Sequence, residues 1–230
     1  LIVEPREAPI ELNEVMRTTF AARDYTADDI PDAVLYDILE TARFAPSGGN
    51  RQGNRVIVVR DPATKAKFAE LSLPAAKRYA AQIKAGESPW NTIVPTKVSE
   101  AEIAATNPPS RLTATFTEAP VVLVVCVDLK VVASSDQYLD RVGVISGASI
   151  YPFVWNVLMC ARQAGYGGTI TTLAVAQEPA LKQLLRIPDD HAVAAVVPLG
   201  KPVKQLTKLK RMPVEQFVTR ESYDGPTFNK

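Results

Sequence analysis

Histidine occurs once and cysteine twice in this 230-residue chain. No apolar run approaches the roughly eighteen residues that a membrane-spanning helix needs. The longest run, APVVLVVCV, has the length of a strand, so a membrane protein is excluded by expectation. Cys126 falls in an apolar strand pattern and Cys160 in an apolar helix pattern. Both read as buried free thiols of the kind found in reducing compartments, which points to the cytoplasm. The single histidine, His191, follows PDD before an apolar run, the place of a turn residue. Neither charge sign dominates, with 26 Lys and Arg against 25 Asp and Glu, and no basic run is interleaved with aromatics, so the electrostatic footprint of a nucleic-acid binder is missing. No GxGxxG follows a strand, which excludes a separate dinucleotide-binding domain. There is no internal repeat and no linker, and the opening LIVEPREAPIEL lacks the pattern of a signal peptide.

What is present is a core. Apolar residues make up 47% of the chain, enough to bury one or two domains of ordinary size. Val34, Leu35, Ile38, Leu39 and Ala42 form the stripe of an amphipathic helix that starts after Asp28, Asp29 and Pro31 and stops before Pro46. A strand follows at Val56–Val59, then a helix seeded by DPATKAKFAEL. The stretch from about Gly86 to Pro120 scatters Pro89, Pro95, Pro108 and Pro109 among polar and aromatic residues and reads as a lid-like excursion. The β-branched run VVLVVCVDL predicts a central strand covered on both faces. Residues from about Asp140 to Gln163 predict a long helix, apolar on nearly every side, with Gly143 and Gly147 forming a notch on one face; such a helix is buried in the core or against a partner subunit. Short strands at GGTITTL and HAVAAVVPLG flank a helix at QEPALKQLL, and a basic, extended tail closes the chain. The mixing of helices and strands without strict alternation predicts an α+β fold.

Three stretches can carry chemistry. APSGGNRQGNRVIVVRD, residues 45–61, sets two adjacent glycines between short hydrogen-bonding side chains. Such a loop can turn its amides toward a flat or anionic ligand; it reads equally as a helix stop with a tight turn into a strand. MRTTFAARDYT places Arg17 and Arg23 around Thr18 and Thr19, and the distant LGKPVKQLTKLKRMPVEQ offers Lys201 and Arg211. Singly these are solvated surface charges, whereas together they could clamp one phosphate monoester. GYGGTITTL adds a turn and strand rich in small and hydroxyl-bearing residues, completing a plausible set for a phosphorylated planar cofactor.

Four segments in this order, MRTTFAARDYTADDIP, ILETARFAPSGGNRQ, GASIYPFVWNVLMCARQAGYGGTITTL and VPLGKPVKQLTKLKRMPVEQFV, resemble the FMN-dependent nitroreductase-like flavoproteins over nearly the whole chain. The last two resemble the flavin reductive dehalogenase branch, which includes iodotyrosine deiodinase. The resemblance implies one domain over residues 1–230 with a nitroreductase-like fold: a central mixed, mostly antiparallel sheet flanked by helices, in an intertwined homodimer with FMN at the interface. It implies a lid at about 86–120 and a C-terminal extension at about 203–230. The phosphate would fall to Arg23, with Arg17 and Thr19 beside it. Ala21 stands where relatives carry Ser, so only its backbone could serve. Pro46, Ser47, Gly48, Gly49 and Asn50, with Gln52, would meet the isoalloxazine; relatives continue with Pro and Trp where this chain has Gly53 and Asn54. Ile170, Thr171 and Thr172 would lie along the reactive edge of the flavin, Thr171 and Thr172 as catalytic groups tuning the reduced form. Gly200 and Lys201 would sit near the cofactor and Arg211 on its phosphate.

The implied reaction is ping-pong: NAD(P)H, a transient donor, gives hydride to flavin N5 and leaves, and a nitroaromatic, quinone or related small electrophile takes its place. No catalytic Cys or His is required, and no metal. Trp90, Asn91, Lys97, Arg111 and Phe116 lie in the lid and could grip the acceptor. Trp90 also reads as a hydrophobic peg, and Tyr79, Tyr151 and Trp155 read as core aromatics ahead of flavin-side wall. The carboxylate, tyrosine and lysine trio with which the deiodinase branch grips an amino acid has no match in the lid. The alternatives are a reductive dehalogenase acting on halophenols, a non-redox FMN carrier, and an interaction domain without cofactor.

Overall fold

The computed structural model describes residues 10–230; the opening LIVEPREAP, on which the signal-peptide reading rests, lies outside them. In chain order the elements are α1 (Leu12–Thr18), α2 (Asp32–Ala42), β1 (Asn54–Val59), α3 (Pro62–Lys84), α4 (Glu100–Ala105), α5 (Ala114–Glu118), β2 (Val121–Asp128), α6 (Tyr151–Gln163), β3 (Gly167–Gly168), α7 (Glu178–Leu185) and β4 (His191–Gly200). The four strands form one sheet in the order β1-β2-β4-β3, every ladder antiparallel. The parallel component is an isolated bridge between Ala21 and Gly168.

The β-branched run becomes the central strand because both its faces find apolar cover. Val121, Leu123 and Val125 point into a cluster with Leu35 and Ile38 of α2 and Val154 and Leu158 of α6. Val122, Val124 and Cys126 point the other way, into a cluster with Phe68, Phe116 and Leu181. Alternation of side chains along a strand makes one apolar run serve two layers. Phe116, placed by sequence in the lid, belongs to this second layer: it is fully buried and meets Phe68 edge to face, ring centroids 6.3 Å apart.

α3 begins where Asp61 accepts the Thr64 N–H at 2.8 Å with Pro62 in the first turn. It ends at Gly86, whose φ of +74° suits a residue without a side chain. The excursion that follows has structure of its own. Glu87 accepts from Thr96 Oγ1 at 2.6 Å and Lys97 N at 2.7 Å, and Ser99 and Glu102 cap α4 reciprocally.

The long helix expected over 140–163 is shorter. Residues 140–144 are loop, Ile145–Ser149 form a 3-10 turn, and α6 starts at Tyr151. Pro152 is the reason at one end, since proline belongs in a first turn. At the other, the buried Asp136 carboxylate takes the Val144 N–H at 2.8 Å and Arg141 Nη1 at 2.7 Å, which holds the backbone out of a helical path. Gly143 and Gly147 therefore form no notch on a helix face; an added Cβ on Gly143 would meet Asp136, and one on Gly147 would meet the Tyr151 ring. Nor is α6 covered on all sides. Phe153, Val154, Val157 and Leu158 are buried, whereas Tyr151 and Trp155 stay 43% and 39% exposed.

Candidate functional site

Residues 18–26 and 201–205 meet at one end of the sheet. The Thr26 N–H donates to Lys201 O at 2.9 Å, Val203 N–H to Asp24 O at 3.1 Å, and Gln205 Nε2 to Thr18 O at 3.0 Å. Ala22 N–H donates to Gly168 O at 3.0 Å, which adds β3 to the same junction. Tyr25 locks it: its hydroxyl lies 2.7 Å from Ala22 O and 3.1 Å from Pro198 O, and burial pushes the phenol well above its ordinary pKa, so it stays neutral. Gly200 is bare because the Tyr25 ring occupies the place of its Cβ, 2.7 Å away.

Beside this junction opens a cleft of about 480 Å³, within the range of small-molecule sites. Arg23, Ile170, Thr171 and Thr172 line it together, although 146 residues separate Arg23 from Thr169, which also lines the wall. Thr171 is held firmly, its backbone paired both ways with Val196 at 3.0 and 2.9 Å. Ala75 and Tyr79 of α3, Trp90 and Leu112 of the excursion, and Thr115 of α5 line the rest of it. Tyr79, for which the sequence favours core over wall, and Trp90, for which it favours a peg over an acceptor grip, are 38% and 48% exposed and face this cleft. Their apolar character signals a wall rather than an interior.

The other expected residues stand apart from the cleft wall. Arg17 is exposed at the end of α1, and Thr19 is buried with its hydroxyl donating to Val15 O at 2.7 Å. Ala21 offers its carbonyl to Arg23 Nη1 at 3.3 Å. Lys201 Nζ is 3.2 Å from Asp28, a contact that holds the exposed Asp28 carboxyl below its usual pKa. Arg211 is exposed and donates to Lys210 O at 2.7 Å.

The glycine loop lies at the far end of the sheet. Pro46, Ser47, Gly48, Gly49, Asn50 and Gln52 precede Gly53, whose carbonyl accepts the Asp128 N–H at 2.9 Å. Gly48 N–H donates to Ser149 Oγ and Gln52 N–H to Ser47 Oγ, both at 3.0 Å. Gly49, Asn50 and Gln52 have φ of +60°, +51° and +50°; two such non-glycine residues in one loop is a concentration of strain typical of ligand-binding segments. The Arg23 end of the sheet is marked by Val121, which pairs with Leu199, and the loop end by Val127, which pairs with Asn54. Six residues of antiparallel strand separate them, about 20 Å.

Burial pushes the Cys126 thiol up to about 11 and Cys160 also upward, so neither offers a thiolate near neutrality. Among the described residues no cluster of His, Cys, Asp or Glu could hold a metal, and no helix is long and apolar enough to cross a membrane. His191 opens β4 instead of lying in the turn, with Nδ1 2.7 Å from Asp190.

Among solved structures, iodotyrosine deiodinase bound to FMN and 3-iodo-L-tyrosine superposes with a TM-score of 0.67 at 20% identity, covering 92% of this chain and 99% of that one. A BluB-like flavoprotein from Clostridium difficile 630 gives 0.68 at 18% identity, covering 93% and 100%. The NADPH:FMN oxidoreductase of Vibrio harveyi complexed with NAD+ gives 0.65 at 18% identity, covering 92% and 77%. In sequence, an iodotyrosine dehalogenase 1 homolog of Caenorhabditis elegans is 25% identical over 207 residues, 89% of this chain and 59% of that protein. An NADH dehydrogenase of Thermus thermophilus is 50% identical over 48 residues, 21% of this chain and 23% of its own length. The chain thus spans less than two thirds of these curated relatives. The family model described as the nitroreductase family matches residues 16–201, and the chain belongs to that family.

Proposed function

We propose that the chain is an FMN-dependent oxidoreductase that draws electrons from NAD(P)H and passes them to a small electrophilic acceptor, two copies completing each site. The cleft carries this reading. Its wall is mostly apolar, with the hydroxyl-bearing Thr171, Thr172 and Tyr79 and the guanidinium-bearing Arg23 among its polar residues. That set suits a flat ring with one anionic end.

In this reading Arg23 holds the phosphate, with Arg17, Thr19, the Ala21 backbone, Gly200, Lys201 and Arg211 around it. Ile170, Thr171 and Thr172 meet the edge of the ring. When bound, FMN supplies hydride acceptance from NAD(P)H and electron delivery to the acceptor. Thr171 Oγ1 accepts weakly from Leu173 N–H at 3.5 Å, which leaves its own proton free to donate at the ring edge. The 86–120 excursion roofs the cleft and excludes water, and the 203–230 extension reaches toward the neighbour.

No residue from 46 to 52 lines the cleft, and about 20 Å of strand keeps that loop away from the Arg23 junction. A second copy can bring its own loop to the cleft. The exposed Tyr151 and Trp155 of α6 and the exposed Tyr138, Leu139 and Val144 before it offer the apolar surface on which two copies would close.

A purified sample tests the proposal. Yellow protein whose flavin band bleaches anaerobically with NADH or NADPH is expected. Bound flavin that neither nicotinamide bleaches would make the chain an FMN carrier, and protein that takes up no FMN would remove the cofactor. A reductive dehalogenase of halophenols is the second reading, supported by the Caenorhabditis elegans relative; turnover of a halophenol with no turnover of nitroaromatics or quinones would favour it.

A further inference from the structure

Trp90 takes a backbone conformation that packing alone does not explain. Its φ is +55°, in the left-handed region that bulky residues avoid. The conformation is held from the interior: Trp90 N–H donates to Oε1 of the buried Gln82 at 3.2 Å, and Gln82 Nε2 reaches Glu87 Oε2 at 3.4 Å. The indole is backed by the Arg78 guanidinium, 5.6 Å from the ring centroid, and Arg78 is ion-paired with Glu100 of α4. Trp90 lines the cleft and Arg78 does not, so the cation lies behind the ring and the indole borders the open space. A hydrophobic peg would be buried, yet 48% of Trp90 is exposed. Strain of this kind concentrates where a side chain must be presented to a ligand.

The charge of the cleft limits what that ligand is. Among the described residues of one copy, Arg23 is the only charged one on its wall, and no carboxylate is there to meet an ammonium group. Of the residues from sequence that could grip an acceptor, Phe116 is buried in the core and Asn91, Lys97 and Arg111 are not on this wall.

We propose that Trp90 is the specificity-determining residue for the acceptor: its indole stacks on a flat, electron-poor aromatic or quinoid ring, and the cleft rejects rings that carry an ammonium group. Gln82 and Arg78 are positioning residues that fix the indole. The use of the bound ring as an electron acceptor rests on the flavin reading above, whereas its binding does not.

The two tryptophans, Trp90 and Trp155, give the measurement. The protein as purified, and the same protein stripped of any flavin, are each titrated with 2-methyl-1,4-naphthoquinone and, separately, with 3-iodo-L-tyrosine while tryptophan emission is followed. Saturable quenching by the quinone and none by the amino acid is expected. In Trp90→Leu the remaining Trp155 emission should show only linear, collisional quenching, and the KM for the quinone should rise by about tenfold, the upper range for loss of one aromatic stack. Trp90→Phe, which keeps a ring, should hold KM within about threefold of wild type and serves if the leucine variant does not fold. Gln82→Ala should weaken the quinone quenching constant while Trp90 emission remains. Saturable quenching that survives in Trp90→Leu, or saturable quenching of the wild type by 3-iodo-L-tyrosine, overturns the proposal. Because the titration needs no electron transfer, a failure of NAD(P)H bleaching overturns the flavin reading and leaves this one standing.

Discussion

Gly168 cannot carry a side chain: a Cβ there would lie 2.4 Å from the carbonyl oxygen of Pro198, a backbone atom that cannot swing aside. Gly168→Ala should therefore destabilise the protein by about 1–3 kcal/mol, the usual range for overpacking, read as a lower urea midpoint. Gly48→Ala is the contrast, since its Cβ would meet only Ser149 Oγ at an ordinary 3.4 Å, and its midpoint should stay near wild type. Arg211→Ala should weaken FMN retention while leaving the assembly intact; unchanged flavin occupancy would remove Arg211 from the site. At this scale the sequence was legible where side-chain type is the signal, as with Arg23 and Ile170–Thr172, which the fold brings to one cleft. It leaves Trp90 undecided between acceptor grip and peg, and Tyr79 between core and wall. A left-handed backbone and the choice between wall and interior are set by what packs from elsewhere.

Asp136 organises an entire connection between β2 and α6. Its carboxylate accepts from Ser134 Oγ at 3.1 Å, Arg141 Nη1 at 2.7 Å and Val144 N at 2.8 Å, and the backbone N–H of Val144, ahead of the other contacts, holds its carboxyl well below the usual range. A carboxyl depressed in the folded state stabilises above the ordinary carboxylate pKa of about 4 and loses that contribution as pH falls. Acidification from about pH 7 to about pH 3 should lower the urea midpoint of the wild type. Asp136→Asn should start lower at neutral pH and lose less on acidification; equal pH slopes in the two proteins would deny Asp136 this role. Asp190, held down to about 2 chiefly by Lys130 and next by His191, adds an acid-sensitive contribution of the same sign that both proteins share. The start of α6 is set in the same way. Apolar content over 140–150 suggested helix, but a buried carboxylate and Pro152 decided the boundary, and long-range hydrogen bonding of that kind leaves no periodic trace in sequence. β2 was readable because its apolar run needed no partner to identify it.

Across the molecule, the hydrogen-bonded meeting of residues 18–26 with 201–205 joins segments far apart in the chain, and the sheet holds the glycine loop away at its other end. The fold class followed from the order of patterns. The separation of the Arg23 cleft from the glycine loop did not, because it depends on strand register: Asn54 opposite Val127 and Leu199 opposite Val121. In the proposed assembly each flavin site joins the Arg23 cleft of one copy to the Pro46–Asn50 loop of another. It is tested by mixing Arg23→Ala chains, which lack the phosphate contact, with Gly49→Val chains, whose loop cannot hold the φ of +60°, and measuring bound FMN in the isolated mixed dimer. Each variant alone should retain little FMN, and the mixed dimer should recover one tightly bound FMN per pair, at the site built from the two unaltered halves. Mixed dimers as empty as their parents, or a monomer that binds FMN fully, would contradict it.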